Sequence, residues 1–589
     1  MKSKSVYKDL GQLKSKIQAS LSEIEADLVI KNGKFLDVFS GRFVEGDIAL
    51  SDGVIIGVLD SYEAKETLDA QGSYIVPGFI DSHVHIESSL MIPACFQQAV
   101  LPRGTTSAIW DPHEIANVLG TAGIDWAVAC SDQSILDIFV MIPSCVPSTS
   151  PELGLETSGA VLTSQDLESY RNHPRVLGLA EMMNFPGLLG GDPDVLGKIQ
   201  DYKELKRDGH CPGLLGKELN AYAVAGIHSC HESTTLEEAQ EKMTKGVHVL
   251  IREGSCAKDA DTLLPLLNSY NSCVLSFCSD DRNPADIFSE GHMDFIINMA
   301  LERGKKPEEV FRAASFAPAQ IYGLDDRGAL APGYLGDLVL VDRRGDDWKD
   351  GIQVKAVYKS GRLVREEDLE KSKSPPLVAS GKNMNLDPVK QDDLAISSTG
   401  AKVEAQVIGV IPNQILTDHL TEKLDVVDGK VQIDLQQDIL KMGVFERHKN
   451  TGFRSIGFVK GFGIKKGAIA TSINHDCHNV ICVGASDDAM CQAINKLIEI
   501  DGGIVVFGGE TYESLILPVG GLMTSDSPEV VAEKLKLLKA AAQRIGCQLS
   551  EPFLQLSFLA LPVIPRLKLT DRGLVDVTKF QKIPVCAPL

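Results

Sequence analysis

No two of the 13 cysteines in this 589-residue chain stand at CxxC spacing, so neither a dithiol redox motif nor a zinc ribbon is encoded. Long hydrophobic runs are absent too: no stretch approaches the roughly 18 apolar residues that span a membrane. The start, Met1-Lys2-Ser3-Lys4-Ser5, is basic, but the apolar run of a secretory signal does not follow. Unpaired thiols and no leader lead to the expectation of a reduced, cytoplasmic protein without a membrane partner. Positive charge is also in deficit. A formal net charge of -22 argues against a nucleic-acid partner, because binding a phosphate backbone needs clustered Lys and Arg. The strings Gly502-Gly503, Gly508-Gly509 and Gly520-Gly521 lack both a GxGxxG order and a phosphate-loop lysine, and read as tight turns.

What is present is a globular composition, 44% hydrophobic and 23% charged, on a chain too long for one core. Up to Asp27, apolar residues at helical spacing (Leu10, Leu13, Ile17, Leu21, Ile24) predict an N-terminal amphipathic helix, 1–27. Short β-like runs follow (Leu28 to Lys34, Gly46 to Leu50, Val54 to Val58), with Asn32-Gly33 and Asp52-Gly53 as hairpin signals. A matching set lies at Gly336 to Val341 and Val354 to Tyr358, so 28–75 plus 324–366 read as one small β-sandwich domain interrupted by an insertion. The insertion, 76–323, alternates apolar runs with helical stretches over a length close to the roughly 250 residues of a (β/α)8 barrel. Charged and polar residues with Pro375-Pro376 mark 367–393 as a linker. The remainder, 394–589, has strands (Ala405 to Ile411) and helices (Pro528 to Ile545) enough for a separate α+β domain.

The chemistry begins at His83-Val84-His85, which closes the run Ile75-Val76-Pro77-Gly78-Phe79-Ile80-Asp81-Ser82. Side chains alternate along a strand, so His-x-His puts both imidazoles on one face, as half of a metal site. In a barrel the working residues sit at the C-terminal ends of strands. Later runs end in candidates at suitable intervals: Val176 to Ala180 at Glu181, the polar turn Arg207-Asp208-Gly209 at His210, Gly226 to Cys230 at His231, and the strand Ser272 to Ser279 at Asp280-Asp281. His228 competes with His231 for its place. Each late residue alone reads as an ordinary solvated or loop side chain; the ordered set reads as a metal centre. After the second strand (Ser107 to Trp110), Asp111, His113 and Glu114 overhang the same mouth, where they are candidates for substrate binding or proton transfer. Asp111-Pro112 with Glu114 is also a helix-capping pattern.

Pro77-Gly78-Phe79-Ile80-Asp81 with His83-Val84-His85 resembles the first barrel strand of the amidohydrolase superfamily. The strings His85-Ile86-Glu87-Ser88-Ser89, Asp111-Pro112-His113-Glu114, Glu181-Met182-Met183-Asn184 and Cys278-Ser279-Asp280-Asp281-Arg282 look like the adenine deaminase family within it. His475-Asp476-Cys477-His478-Asn479 is similar to that family's C-terminal domain. The resemblance implies a two-metal site held by His83, His85, Glu181, His210, His231 and Asp280. Glu181 stands where many relatives carry a bridging lysine. The metals implied are Mn(II) or Fe(II), with Zn(II) also compatible with these ligands. The implied reaction is hydrolytic deamination of adenine to hypoxanthine and ammonia in purine salvage or adenine catabolism. A metal-bridging hydroxide attacks, Asp280 moves the protons, and Glu181 and His113 join it as catalytic residues. Adenine and water are the small-molecule partners, and a homo-oligomer is the expected state. For His475 and His478 the first reading is a brace of the C-terminal domain or the shaping of a lid, and the second is another metal site.

Two enzymatic alternatives differ in their ligands. One-zinc base deaminases need HxE…PCxxC, and no PCxxC exists here. Amidohydrolases acting on cyclic amides are expected to carry the bridging lysine. A catalytically silent scaffold on this fold would have lost metal ligands, whereas all the positions are filled.

Overall fold

The computed structural model describes residues 6–377 and 381–589. Residues 1–5 of the expected N-terminal helix and 378–380 of the expected linker lie outside the described residues.

The β-branched runs of the N-terminal segment divide between two sheets. One contains Ala26–Lys31, Ile48–Ser51, Val54–Val58 and Ala64–Asp69; the other joins Lys34–Asp37, Arg42–Glu45 and Tyr74–Pro77 to Leu338–Arg343, Ile352–Lys359 and Arg362–Leu363. Their inner faces share one apolar cluster, in which Leu28, Ile30 and Ile55 of the first sheet meet Phe35, Ile75 and Leu338 of the second. Asp52-Gly53 turns a true hairpin, since Ser51 pairs with Val54. Asn32-Gly33 does not: it carries the chain from one sheet to the other, where Gly33 packs against Ile75 so closely that a Cβ would lie 2.6 Å from its Cδ1. The helix before this region is also shorter than expected. It runs over Leu10–Ser20, and Ala26 already belongs to a strand. Its anchored residues are Ala19 and Lys16, the latter reaching the Ser51 and Asp52 carbonyls, while Leu10, Ile17, Leu21 and Ile24 are exposed.

Eight parallel strands follow in chain order around a barrel: Phe79–Val84, Thr105–Trp110, Asp137–Ile142, Val176–Met182, Lys206–Gly209, Ser229–Cys230, His248–Arg252 and Ser276–Cys278. A bridge between Val84 and Asp280 links the last strand to the first, with Asp280 N donating to the His83 carbonyl at 3.0 Å. Inward residues of successive strands (Ile80, Ile109, Met141, Ala180, Leu250, Cys278) fill the interior, as alternation requires. Two local readings change. Arg207-Asp208-Gly209 is strand rather than turn, because its backbone pairs with neighbours on both sides. Ser272 to Leu275 is turn rather than strand, its Val274 and Leu275 amides both donating to the Asn271 carbonyl.

The expected linker is strapped to its neighbours. It contains a helix, Glu366–Lys371, with Leu369 buried. Gln97 donates to Ser372 Oγ at 2.7 Å and Trp126 Nε1 to the Pro375 carbonyl at 3.0 Å, and Met384 and Val389 enter the core beneath the next sheet. That sheet is ten-stranded, built from Lys402–Val410 to Gly503–Phe507 and beyond, with helices Asp487–Glu499 and Pro528–Arg544. Trp110 and Phe96 of the barrel lie in one cluster with Leu440, Ile469, Leu535 and Leu556 of this region. Such side chains stabilise by about 1.5–3 kcal/mol each when fully buried, so the two bodies are joined by a hydrophobic interface rather than a tether. No helix among the described residues is long and apolar enough to cross a membrane.

Candidate metal centre

At the end of the first barrel strand, alternation turns His83 and His85 to the same side, with their Nε2 atoms 3.1 Å apart. His85 Nδ1 lies 3.0 Å from the Asp111 carbonyl, which can only accept, so the ring proton sits on Nδ1 and Nε2 presents a lone pair. Asp280 Oδ1, from across the barrel closure, is 3.4 Å from His83 Nε2 and 3.2 Å from His85 Nε2. Asp280 holds a left-handed backbone at φ +51°, an uncommon conformation for a non-glycine residue.

Glu181, next to the end of the fourth strand, reaches two groups at once. Its Oε1 lies 3.4 Å from His85 Nε2, and its Oε2 lies 2.7 Å from His210 Nδ1 and 3.1 Å from His231 Nε2. All six expected ligands therefore converge at one barrel end, in the groups His83/His85/Asp280 and His83/Glu181/His231 with His210 beside them. His228 does not join. It faces the Arg207 carbonyl, and burial pushes its pKa down to about 3. The thiol of Cys230 turns away toward Cys211 and Lys242. The donors presented are thus imidazole nitrogen and carboxylate oxygen, crowded together without protons enough to pair them all. That set fits a divalent metal centre.

Electrostatics keep these carboxylates ionised. Burial would raise the Glu181 carboxyl, but the His210 and His231 rings outweigh it and hold it well below the usual carboxylate range. Burial likewise opposes ionisation of Asp280, and His83, His85, His231 and Arg252 together hold it well below that range. Burial works against protonation of His231, yet Glu181 wins and lifts it to about 9. Arg252 belongs to no motif; its only mark in the sequence is that it ends the apolar run His248-Val249-Leu250-Ile251. It donates to Asp280 Oδ2 at 3.1 Å, to Asp259 Oδ2 at 2.9 Å, and to both oxygens of Glu232, a second carboxylate that carries no motif signal.

Asp111, His113 and Glu114 differ in placement. His113 and Glu114 line the cavity over the centre, while Asp111 holds His113 Nδ1 through Oδ2 at 3.0 Å. The capping role is partial. Asp111 Oδ1 accepts from the His113 amide at 3.1 Å, but the Glu114 carboxylate turns to His475 and His478 instead of the helix end. The C-terminal region thereby supplies one side of the cavity: His475 and Asp476, with Ile415, Phe558, Leu561 and Ile564 as an apolar wall. Phe558 stacks on the His475 ring, centroids 4.4 Å apart and planes 8° from parallel. No motif marks Phe558 or Ile415, because only the folded interface brings them to the barrel mouth.

Residues 74–364 match the model of the amidohydrolase family, and residues 414–581 that of the adenine deaminase C-terminal domain. The chain is 45% identical over 558 residues to an adenine deaminase of Brucella abortus (strain 2308), covering 94% of each chain. To adenine deaminase 1 of Rhizobium meliloti (strain 1021) it is 46% identical over 562 residues, 95% of this chain and 97% of that one. Adenine deaminase 1 of Rhizobium johnstonii is 45% identical over 577 residues, 97% and 99% of the two chains. With relatives this similar along nearly its whole length and both family models matched, the chain belongs to the adenine deaminase family of amidohydrolases.

Proposed function

We propose that this protein hydrolyses adenine to hypoxanthine and ammonia in the cytoplasm, using two divalent ions, Mn(II) or Fe(II) in preference to Zn(II). The observation that carries the reading is the reach of Glu181 to two ligand groups, His85 on one side and His210 with His231 on the other. His83, His85 and Asp280 would hold one ion, His210 and His231 the other, and Glu181 both. Bound there, such ions act as Lewis acids and make water nucleophilic at neutral pH.

The chain's own groups then account for binding and proton movement. The apolar wall of Ile415, Phe558, Leu561 and Ile564 takes a flat purine ring and excludes bulk water. Asp280 accepts the proton of the attacking water through Oδ1, while Arg252 fixes the carboxylate by Oδ2. As C6 gains oxygen and loses its amine, Asp280 passes that proton to the ring nitrogen, then takes the proton left on the attacking oxygen and passes it to the amine, which departs as ammonia. A positioned general base of this kind contributes typically about 10²–10⁴-fold. Glu232 and Asp259 brace Arg252 from behind, so the proton carrier is set by a rigid ion network.

An ammonia-release assay on adenine, adenosine, guanine and dihydroorotate, with Mn(II) or Fe(II) supplied, tests the assignment. Turnover of adenine in preference to the others is expected. Absence of adenine turnover in metal-loaded protein would overturn it, and turnover of dihydroorotate would favour the cyclic-amide alternative.

A further inference from the structure

Four buried side chains outside the barrel-end ligand set turn donor atoms toward one another where the barrel meets the C-terminal region. His113 and Glu114 come from the helix after the second strand, His475 and Asp476 from the loop after Ala468–Thr471. His113 Nε2 lies 3.3 Å from Glu114 Oε1 and 3.6 Å from Asp476 Oδ1. His475 Nδ1 lies 2.5 Å from Glu114 Oε1 and 3.8 Å from Asp476 Oδ1. Ligands about 2.0–2.2 Å from a tetrahedral ion stand roughly 3.3–3.6 Å from each other. The barrel-end ligands lie 2.7 to 3.4 Å apart between nitrogen and carboxylate oxygen, and the distances among these four side chains bracket both ranges.

An independent observation points the same way. His113 Nε2, Glu114 Oε1 and Asp476 Oδ2 have no hydrogen-bond partner, although their side chains are 97–99% buried. Native structures rarely leave several buried polar atoms unsatisfied in one place. Outer groups hold His113 and Glu114 by their far atoms. Asp111 takes the Nδ1 proton of His113, which leaves Nε2 a lone pair. His478 Nδ1 accepts from the Asn474 amide at 3.2 Å, so its Nε2 carries the proton and donates to Glu114 Oε2, leaving Oε1 free to ligate. Partners of this kind behind metal ligands fix tautomer and orientation.

The geometry points to a third divalent-cation site, ligated by His113, Glu114, His475 and Asp476, that clamps the C-terminal region onto the barrel. Two imidazoles and two carboxylates suit Mn(II), Fe(II) or Zn(II), and the carboxylates balance the charge. His478 is a brace of this site rather than a ligand. The assignment gives His113 and Glu114 to a cation instead of to adenine, and it stands whatever the substrate proves to be.

Full-length protein loaded with Mn(II) and freed of excess metal would be analysed for metal per chain and crystallised for anomalous diffraction at the manganese edge. Three ions per chain are expected, with an anomalous peak about 2.2 Å from His113 Nε2, Glu114 Oε1, His475 Nδ1 and Asp476. Asp476→Asn should lower the content by one ion while both barrel-end peaks persist. Wild-type crystals with filled barrel-end sites and no peak among the four side chains would overturn the proposal. That map decides even if the variant does not fold.

Discussion

The guanidinium of Arg252 holds Oδ2 of Asp280 at 3.1 Å, so the carboxylate's other oxygen is left to face His83 and His85. One residue thus orients the proposed proton carrier and helps keep it charged. Replacing Arg252 by Lys removes the planar fork that joins Asp280, Glu232 and Asp259. The expected loss in kcat is about 10²-fold. Asp280 is held well below the carboxylate range partly by Arg252, so weakening that contact raises its pKa. The acid limb of kcat/KM against pH should therefore move to higher pH. An unmoved limb would separate Arg252 from the proton carrier.

Removing a ligand tests the centre itself. His83→Ala should leave a folded protein that binds fewer ions and does not recover activity when Mn(II) is restored after chelation. Wild type taken through the same cycle should recover. Full activity in the variant would place the reaction elsewhere.

Phe558 forms part of the cavity wall and stacks on His475. Stacking of this kind contributes about 0.5–1.5 kcal/mol, which corresponds to a KM for adenine raised roughly 10-fold at most in Phe558→Ala, with kcat little changed. Steady-state kinetics would show this directly. A fall in kcat alone would mean that Phe558 positions His475 rather than the base.

Lys568 lies fully buried in the C-terminal region, donating to the Ile415 and Phe558 carbonyls behind that wall. Burial lowers its pKa from 10.5 to about 7. Below pH 7 both folded and unfolded chains carry the proton, and the cost of burying the charge is felt in full. Between about 7 and 10.5 the unfolded state holds more protons, so this group makes stability rise with pH, by up to about 1.4 kcal/mol per unit. Lys568→Met should flatten that rise in unfolding temperature measured from pH 7 to 10. An unchanged slope would assign it to other groups.

The barrel and the family were legible because their signals are local. His-x-His on a strand has one geometric outcome, and the candidate ligands Glu181 and Asp280 follow runs whose apolar character is plain. The short strand Lys206–Gly209 was less legible, since its residues are polar or small and only pairing with both neighbours makes it a strand. The segment after Glu366 has the composition of a linker, yet a few spaced apolar residues, Leu369, Met384 and Val389, suffice to tie it down. Arg252, Glu232, Phe558 and Ile415 are silent in the sequence because their roles come from contacts between distant segments. The N-terminal helix shows the converse: Leu10, Ile17 and Leu21 have helical spacing, but spacing does not say which face finds a neighbour.

The two sheets of the small β domain close at different times on the ribosome. Every strand of the first lies before residue 70, so that sheet can form as soon as it emerges. In the second, Tyr74–Pro77 pairs with Leu338–Arg343, and the whole barrel is translated between them. At about 5–20 residues per second the earlier strand waits roughly 13–50 s for its partner. During that interval its edge stands open to wrong pairing, and the arrival of Leu338–Arg343 is what closes it.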